Sequence, residues 1–355
     1  MIVFLTGITG LVGAHTAVEL LRAGHRIAAL VRARPDRPAG QRARAVLEAH
    51  PDCGKTFSLA GLHAIAGDIE RPGCNVAEPN AGLLAGAVDA VVHCAGAVAF
   101  DPAAEGALQR ANTAGARHVA ELCVRLRCSR FIHVGTAYVD AALEGRGFRS
   151  AYERSKLDGE RVVADAVGAA RLAVARPSIV TGDRVHGFTP TYHGIYPFLR
   201  YGAARAAELA RLTPDRGLPA GLALDGRANL VPADHVAAVL RALVERPGET
   251  GIFPVINPRP WPARELVRIA GRALGIPVAA LEPRPGPAAP PPASAAEPIR
   301  LLRERYAPYF RVDLTLNTEP TDRLCAAAGI PPLVNDPAWI AALVRWGVAH
   351  DWAAL

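Results

Sequence analysis

Lysine is almost absent from this chain. Of its 40 basic residues only Lys55 and Lys156 are lysines, and the remaining 38 are arginines. Long hydrophobic runs are missing too. No stretch of about 18 uncharged apolar residues occurs, so no membrane-spanning helix is expected. Cysteine is sparse, at positions 53, 74, 94, 123, 128 and 325, with no C-x-x-C pair and no histidine at zinc-site spacing. That argues against a disulfide framework or a metal site, and Cys123 and Cys128 read as packed thiols of one helix. Runs of like charge are also lacking. The net charge is +7 and the pI near 9.4, but the arginines are scattered, as GC-rich coding would scatter them, and a nucleic-acid partner is not expected. The chain enters an apolar strand at residue 2 with no leader before it, so the expectation is a cytoplasmic, reduced protein, monomeric or homodimeric.

What is present begins with length. Half of the 355 residues are hydrophobic, enough for a full core and more than one nucleotide-binding layer requires. The organising stretch is Thr6 to Gly13, TGITGLVG, between the apolar run MIVFL and a segment of helical periodicity. A glycine-rich turn from a first strand into a first helix cradles a dinucleotide pyrophosphate. Gly7 permits the tight turn, Gly10 lets the backbone approach the phosphates, and Gly13 lets helix and strand pack closely. Thr9, Leu11 and Val12 complete the turn, and the helix start offers unpaired N–H groups to an anion.

The second strand, Ile27 to Val31, ends at Arg32 and Arg34, where a dinucleotide fold tests the adenosine ribose. An acid there suits NAD, whereas a cation suits the 2′-phosphate of NADP, so NADPH is the expected cofactor. Residues 37 to 50 read as a helix. The run LHAIAGDI ends in Asp68 and Ile69, a candidate adenine contact or a plain loop. A fourth strand, Ala90 to His93, leads into Cys94, Ala95 and Gly96, small enough for a cofactor to cross the sheet edge. His93 reads as packed rather than catalytic. A long helix from about 104 to 126 carries Asn112, which either bonds backbone or anchors a proton-relay water. The fifth strand ends at Gly135 and Thr136.

Tyr152 and Lys156 follow at i and i+4 on a helix opening near Ser150, so both project from one face. Reduction of a carbonyl needs a proton donor. Tyrosine, ordinarily near pKa 10, serves when a neighbouring cation lowers its pKa, and Thr136 can hold the carbonyl oxygen. One of only two lysines at that spacing points to function rather than filler.

These residues, T-G-x-T-G-x-x-G at 6 to 13, Thr136 and Tyr152-x-x-x-Lys156, resemble an extended short-chain dehydrogenase/reductase. VHCAGAVAF, NTAGARHVAEL, FIHVGTAYV and ARPSIVTGD are similar to the fatty acyl-CoA reductase and thioester-reductase branch, continuously to about residue 185 and more weakly through NLVPADHVA at 229 to 237. The resemblance implies that Thr136, Tyr152 and Lys156 are catalytic, that Arg32 meets the 2′-phosphate, and that Pro177, Ser178 and Ile179 flank the nicotinamide.

The expected fold is α/β, a doubly wound parallel Rossmann-type sheet with a smaller, mainly helical C-terminal substrate region. Residues 1–185 would bind NADP(H), 186–228 form a substrate-side insertion, 229–250 return to the Rossmann domain, and 251–355 form the small domain. Tyr192, Tyr196 and Phe198 are either pocket walls or packing, and Asp234 is an expected helix cap. The proline-rich stretch 276–298 reads as a linker or a lid arm, followed by a helix at 299–306. The expected activity is hydride transfer from NADPH to a small-molecule or carrier-bound carbonyl, an acyl thioester or aldehyde by resemblance. A ketone reductase, a sugar-nucleotide epimerase or dehydratase, and a non-enzymatic NADP sensor stay open.

Overall fold

Short, uniformly apolar runs make strands buried on both faces, and amphipathic segments between them make the covering helices. The computed structural model describes residues 1–207, 226–276, 304, 309, 310, 312, 314 and 316–355. Its main strands are β1 (Ile2–Thr6), β2 (Arg26–Val31), β3 (Leu62–Ala66), β4 (Ala90–His93), β5 (Phe131–Val134) and β6 (Leu172–Pro177). Short strands β7 (Ile179–Thr181), β8 (Arg227–Ala228) and β9 (Leu230–Pro232) precede β10 (Gly251–Val255) and β11 (Trp261–Pro262).

Seven strands form one sheet in the order β10-β6-β5-β4-β1-β2-β3, all parallel. The chain reverses direction across the sheet between β1 and β4. In open parallel sheets the crevice beyond the strand ends at such a point is where ligands bind.

Helices α1 (Leu11–Arg22) and α2 (Ala39–Glu48) cover one face, and α3 (Glu78–Leu84), α4 (Glu105–Leu108) and α5 (Gly115–Arg125) belong to the other. Next come α6 (Asp140–Leu143), α7 (Ala151–Val167) and α8 (Tyr196–Ala204). They are followed by α9 (Ala233–Glu245), α10 (Ala263–Ala273), α11 (Glu319–Ala328) and α12 (Pro337–Ala349). One core packs Val18, Leu20, Leu47, Val236 and Leu240 against Val3, Leu5 and Ile132. The opposite core packs Val119, Leu122 and Val163 against Phe4, Val91 and Phe131. A third, separate core joins Tyr196, Leu199, Trp261, Leu266, Trp339 and Leu343 from α8, α10, β11 and α12.

Within the expected C-terminal unit, β10 pairs with β6 as the edge of the large sheet, and Leu324 of α11 joins its core. The long helix before Arg125 is not uniform, since Gln109–Ala114 forms a π-helical turn containing Asn112. Asp234 is no cap. Pro232 holds the N-cap position of α9, and the Asp234 carboxylate instead accepts bonds from Arg184 N and Nε. The stretch 277–298 and the expected helix at 299–306, Glu304 apart, lie outside the described residues. No helix among the described residues is long and apolar enough to cross a membrane.

Candidate active site

The glycine turn has the conformation that its residues require. Gly7 takes φ +79°, a left-handed value that favours glycine, and its carbonyl accepts from Gly10 N at 2.9 Å. A Cβ on Gly7 would lie 2.6 Å from Ala95 N, and one on Gly13 would collide with the Gly7 carbonyl oxygen. Strand, turn and helix therefore pack with no room for side chains. Gly10 is the N-cap of α1 with extended backbone and no side-chain cap, so the helix start is left open to an anion.

The loop after β4 is pinned from two sides. Thr6 Oγ1 accepts from Ala95 N at 3.1 Å and shares a hydrogen bond with His93 Nδ1, 2.7 Å away. His93 is packed, as its place in a strand suggested. On the other side Asn112 Oδ1 accepts from Ala97 N at 2.7 Å, and Nδ2 donates to Ala97 O and Ser155 Oγ. Asn112 is thus the backbone tie rather than a wall of the cleft: it is buried and does not line it. The π turn brings its main chain against α7, where a Cβ on Gly159 would strike the Asn112 carbonyl.

A cleft of about 580 Å³ runs along the strand ends. Gly7, Thr9, Gly10, Leu11, Val12 and Gly13 line it, as do Arg32, Arg34, Asp68, Ile69, Cys94, Ala95, Gly96, Pro177, Ser178 and Ile179. At the β2 end of the cleft Arg32 lies 3.7 Å from Glu70, and Arg42, which sequence reasoning passed over, donates to the Arg32 carbonyl. Burial and the charges of Arg34, Arg32 and Arg37 all push the Arg42 guanidinium down. Crowding of like charges at one mouth favours an anion there. Asp68 Oδ1 is engaged by Glu70 N within its own turn. Ser178 Oγ is buried beside the cleft with no partner among the described residues, a polar atom for a bound group to satisfy.

Ser150 caps α7, accepting from Glu153 N, and so sets the register that faces Tyr152 and Lys156 into the same cleft as Thr136. Lys156 Nζ donates to the Val134 carbonyl at 2.5 Å. Burial pushes this ammonium down to about 8, against upward pulls from Glu160 and Cys94. Tyr152 is pushed up to about 12 by burial, then by the Glu153 charge, and a hydrogen bond with Thr136 offsets part of this. The expected lowering by Lys156 is not what this arrangement displays, because the ammonium is engaged with the end of β5. Beneath it, Arg176 forms a bidentate pair with Glu160, both buried, with Nη2–Oε2 at 2.6 Å.

The far wall was not legible from sequence. Phe100, Tyr138, Tyr309 and Phe310 line the cleft, whereas Tyr192, Tyr196 and Phe198 do not. Tyr196 is fully buried, and its hydroxyl accepts from Gly182 N. Folding also brings His15, His50 and Asp183 together, buried, with ligating atoms within 4.8 Å of one another. His15 Nε2 meets the Phe188 carbonyl, and His50 Nδ1 accepts from Asp52 N, which leaves Nε2 as the N–H of that neutral ring.

A seven-stranded doubly wound sheet with a glycine cradle at its first strand-to-helix turn is the fold of a nicotinamide-dinucleotide-binding enzyme. More narrowly, the chain belongs to the NAD-binding family described as male sterility protein, whose profile matches residues 5–240. The large subunit of L-2-aminoadipate reductase from Penicillium chrysogenum is 29% identical in a 279-residue alignment that covers 70% of this chain and 19% of that protein. This chain thus spans about a fifth of that relative's length. Among solved structures, the terminal R domain of the myxalamid PKS-NRPS biosynthetic pathway superimposes with TM-score 0.75 at 21% identity, covering 99% of this chain and 91% of that one. The reductase (R) domain of a non-ribosomal peptide synthetase from Mycobacterium tuberculosis gives 0.66 at 21%, covering 99% and 92%. At that identity the structures speak for the fold.

Proposed function

We propose that this chain is an NADPH-dependent reductase of acyl thioesters and aldehydes, with Thr136, Tyr152 and Lys156 as its catalytic residues. The observation that carries the reading is that all three line one cleft with the glycine cradle and the arginine cluster. Arg32, Arg34 and Arg42 would hold the 2′-phosphate, the α1 N-terminus the pyrophosphate, and Ser178 the nicotinamide amide. When bound, NADPH supplies a hydride to the carbonyl carbon. Thr136 orients the carbonyl oxygen, and Tyr152, a neutral phenol throughout the physiological range, gives it a proton. Lys156, whose ammonium is held at the Val134 carbonyl, would hold positive charge toward the cofactor ribose. The relatives named for reductase activity support the thioester and aldehyde class.

A ketone reductase would use the same residues and is the runner-up. A dehydratase would want a further acid pair near Thr136, and Asp140, the nearest in sequence, is buried in a bidentate pair with Arg149. The test is NADPH oxidation with N-acetylcysteamine thioesters, aldehydes, aromatic ketones and UDP-sugars. Turnover of thioester or aldehyde is expected. Conversion of a UDP-sugar without net NADPH consumption would instead establish the epimerase.

Cofactor choice is separately testable. Arg32→Ala should weaken NADPH binding about 10- to 100-fold, or ~1.5–3 kcal/mol for hydrogen bonds to a charged group, and leave NADH nearly unchanged. Isothermal titration with both cofactors checks it. Equal loss for both would assign Arg32 a structural role and shift the phosphate to Arg34 and Arg42.

A further inference from the structure

A row of rings leads away from Tyr152. Phe100 stands 5.7 Å from it between centroids, Tyr309 stands 5.2 Å from Phe100, and Tyr138 stands 4.9 Å from Tyr309 at an interplanar angle of 83°. All four line the cleft, and Tyr138 and Tyr309 are buried. Tyr309 comes from the C-terminal part of the chain, 159 residues after Ser150, yet its hydroxyl is hooked onto the N-cap of the catalytic helix, 3.0 Å from Ser150 Oγ. Glu153 lies beneath these rings, accepting from Arg149 N at 2.8 Å and paired with the Arg149 guanidinium, and burial first, then the Glu153 carboxylate, pushes the Tyr152 and Tyr309 hydroxyls up. A carbonyl group placed at Tyr152 and Thr136 must therefore lay its neighbouring atoms along ring surface, beside a buried carboxylate whose charge the Arg149 guanidinium already pairs. An anionic substituent would be stripped of water there, with only the neutral Tyr138 hydroxyl among the described wall rings free to donate to it, whereas an apolar one gains contact along every ring.

We propose that Tyr309 is a specificity-determining residue of this site, and that with Phe100 and Tyr138 it selects carbonyl substrates whose acyl group is uncharged and apolar over those bearing a carboxylate near the reacting carbon. The inference rests on the reductase reading above and deepens it. Because the ring forms the wall and the hydroxyl only anchors it, Tyr309→Phe and Tyr309→Ala should differ.

The test compares 4-methylpentanal with 4-oxobutanoate, which differ in whether the chain ends in an isopropyl group or a carboxylate. The same two acyl groups are also supplied as N-acetylcysteamine thioesters. The wild type should favour the apolar member in kcat/KM by about 100-fold, within the range an apolar pocket provides. Tyr309→Ala should cut that ratio at least tenfold, mainly through KM, by admitting water to the wall. Tyr309→Phe should keep it within about threefold, as expected when the discriminating surface is retained. Phe100→Ala, opening the wall from its other side, should move the ratio in the same direction, so the inference survives a Tyr309→Ala variant that fails to fold. A wild-type ratio near one, or equal losses for both substrates in the two alanine variants, overturns the proposal while leaving the reductase reading intact. A wild type inert toward every aldehyde and thioester overturns both.

Discussion

Tyr152→Phe is expected to lower turnover by roughly 10²–10⁴-fold, the usual worth of a general acid, while NADPH affinity stays close to that of the wild type. The substitution keeps the ring and its 5.7 Å contact with Phe100, and removes only the hydroxyl that Thr136 positions. The phenol needs no help to stay protonated, since burial pushes it to about 12. The pH limit should come instead from Lys156. Its ammonium is pushed down to about 8, so the charged form is present below that value and lost as pH rises through it. The kcat/KM for NADPH, which reports ionisations of the free enzyme, should therefore decline above about pH 8. Lys156→Arg should be nearly inactive even though it preserves charge, because a planar guanidinium cannot occupy the ammonium's place under the Val134 carbonyl. Normal turnover by both variants would make the Tyr–Lys pair incidental and the mechanism wrong.

The second large effect concerns stability. Glu160→Gln should destabilise the fold by about 3–5 kcal/mol, because it leaves the buried Arg176 guanidinium without its countercharge. Both side chains are under one-tenth exposed, and Arg176 reaches Glu160 through Nε and Nη2 together. Burial pushes the Glu160 carboxyl up and Arg176 pulls it back, so each ion depends on the other. Space is equally constrained, since a Cβ on Gly135 would strike the Glu160 carboxylate directly below Thr136. Urea unfolding measures the loss, and the double variant Glu160→Leu with Arg176→Met should recover most of it by removing both charges at once. A Glu160→Gln variant within 1 kcal/mol of wild type would show that water reaches the pair.

The residues proposed here to hold the cofactor could be named from the linear chain because their spacing is local. A phosphate cradle needs strand, glycine turn and helix start within a dozen residues, and Thr6 to Gly13 supplies them with Gly7 at the required positive φ. Tyr152 and Lys156 share a face because a helix repeats every 3.6 residues, and Ser150 announces where that helix begins. Arg42 was missed although it is only ten residues from Arg32, since nothing in a helical stretch announces which arginine turns back to the strand end. Asn112 was visible as an anomaly on a packed helix, but its sequence surroundings do not say that its partners are Ala97 and Ser155.

By itself, then, the sequence determined the elements, their order and the class of chemistry, because strand burial, turn conformation and i, i+4 spacing are imposed by backbone geometry within one segment. Only the tertiary structure decided what the proposed cofactor residues face. Tyr309 reaches the catalytic helix across 159 residues of chain, Glu160 finds Arg176 on a neighbouring strand, and β10 pairs with β6 to close the sheet edge. Such pairings depend on how elements pack rather than on what they are. Side chains from distant segments are chosen by complementarity of shape, charge and burial, and no local spacing encodes that choice.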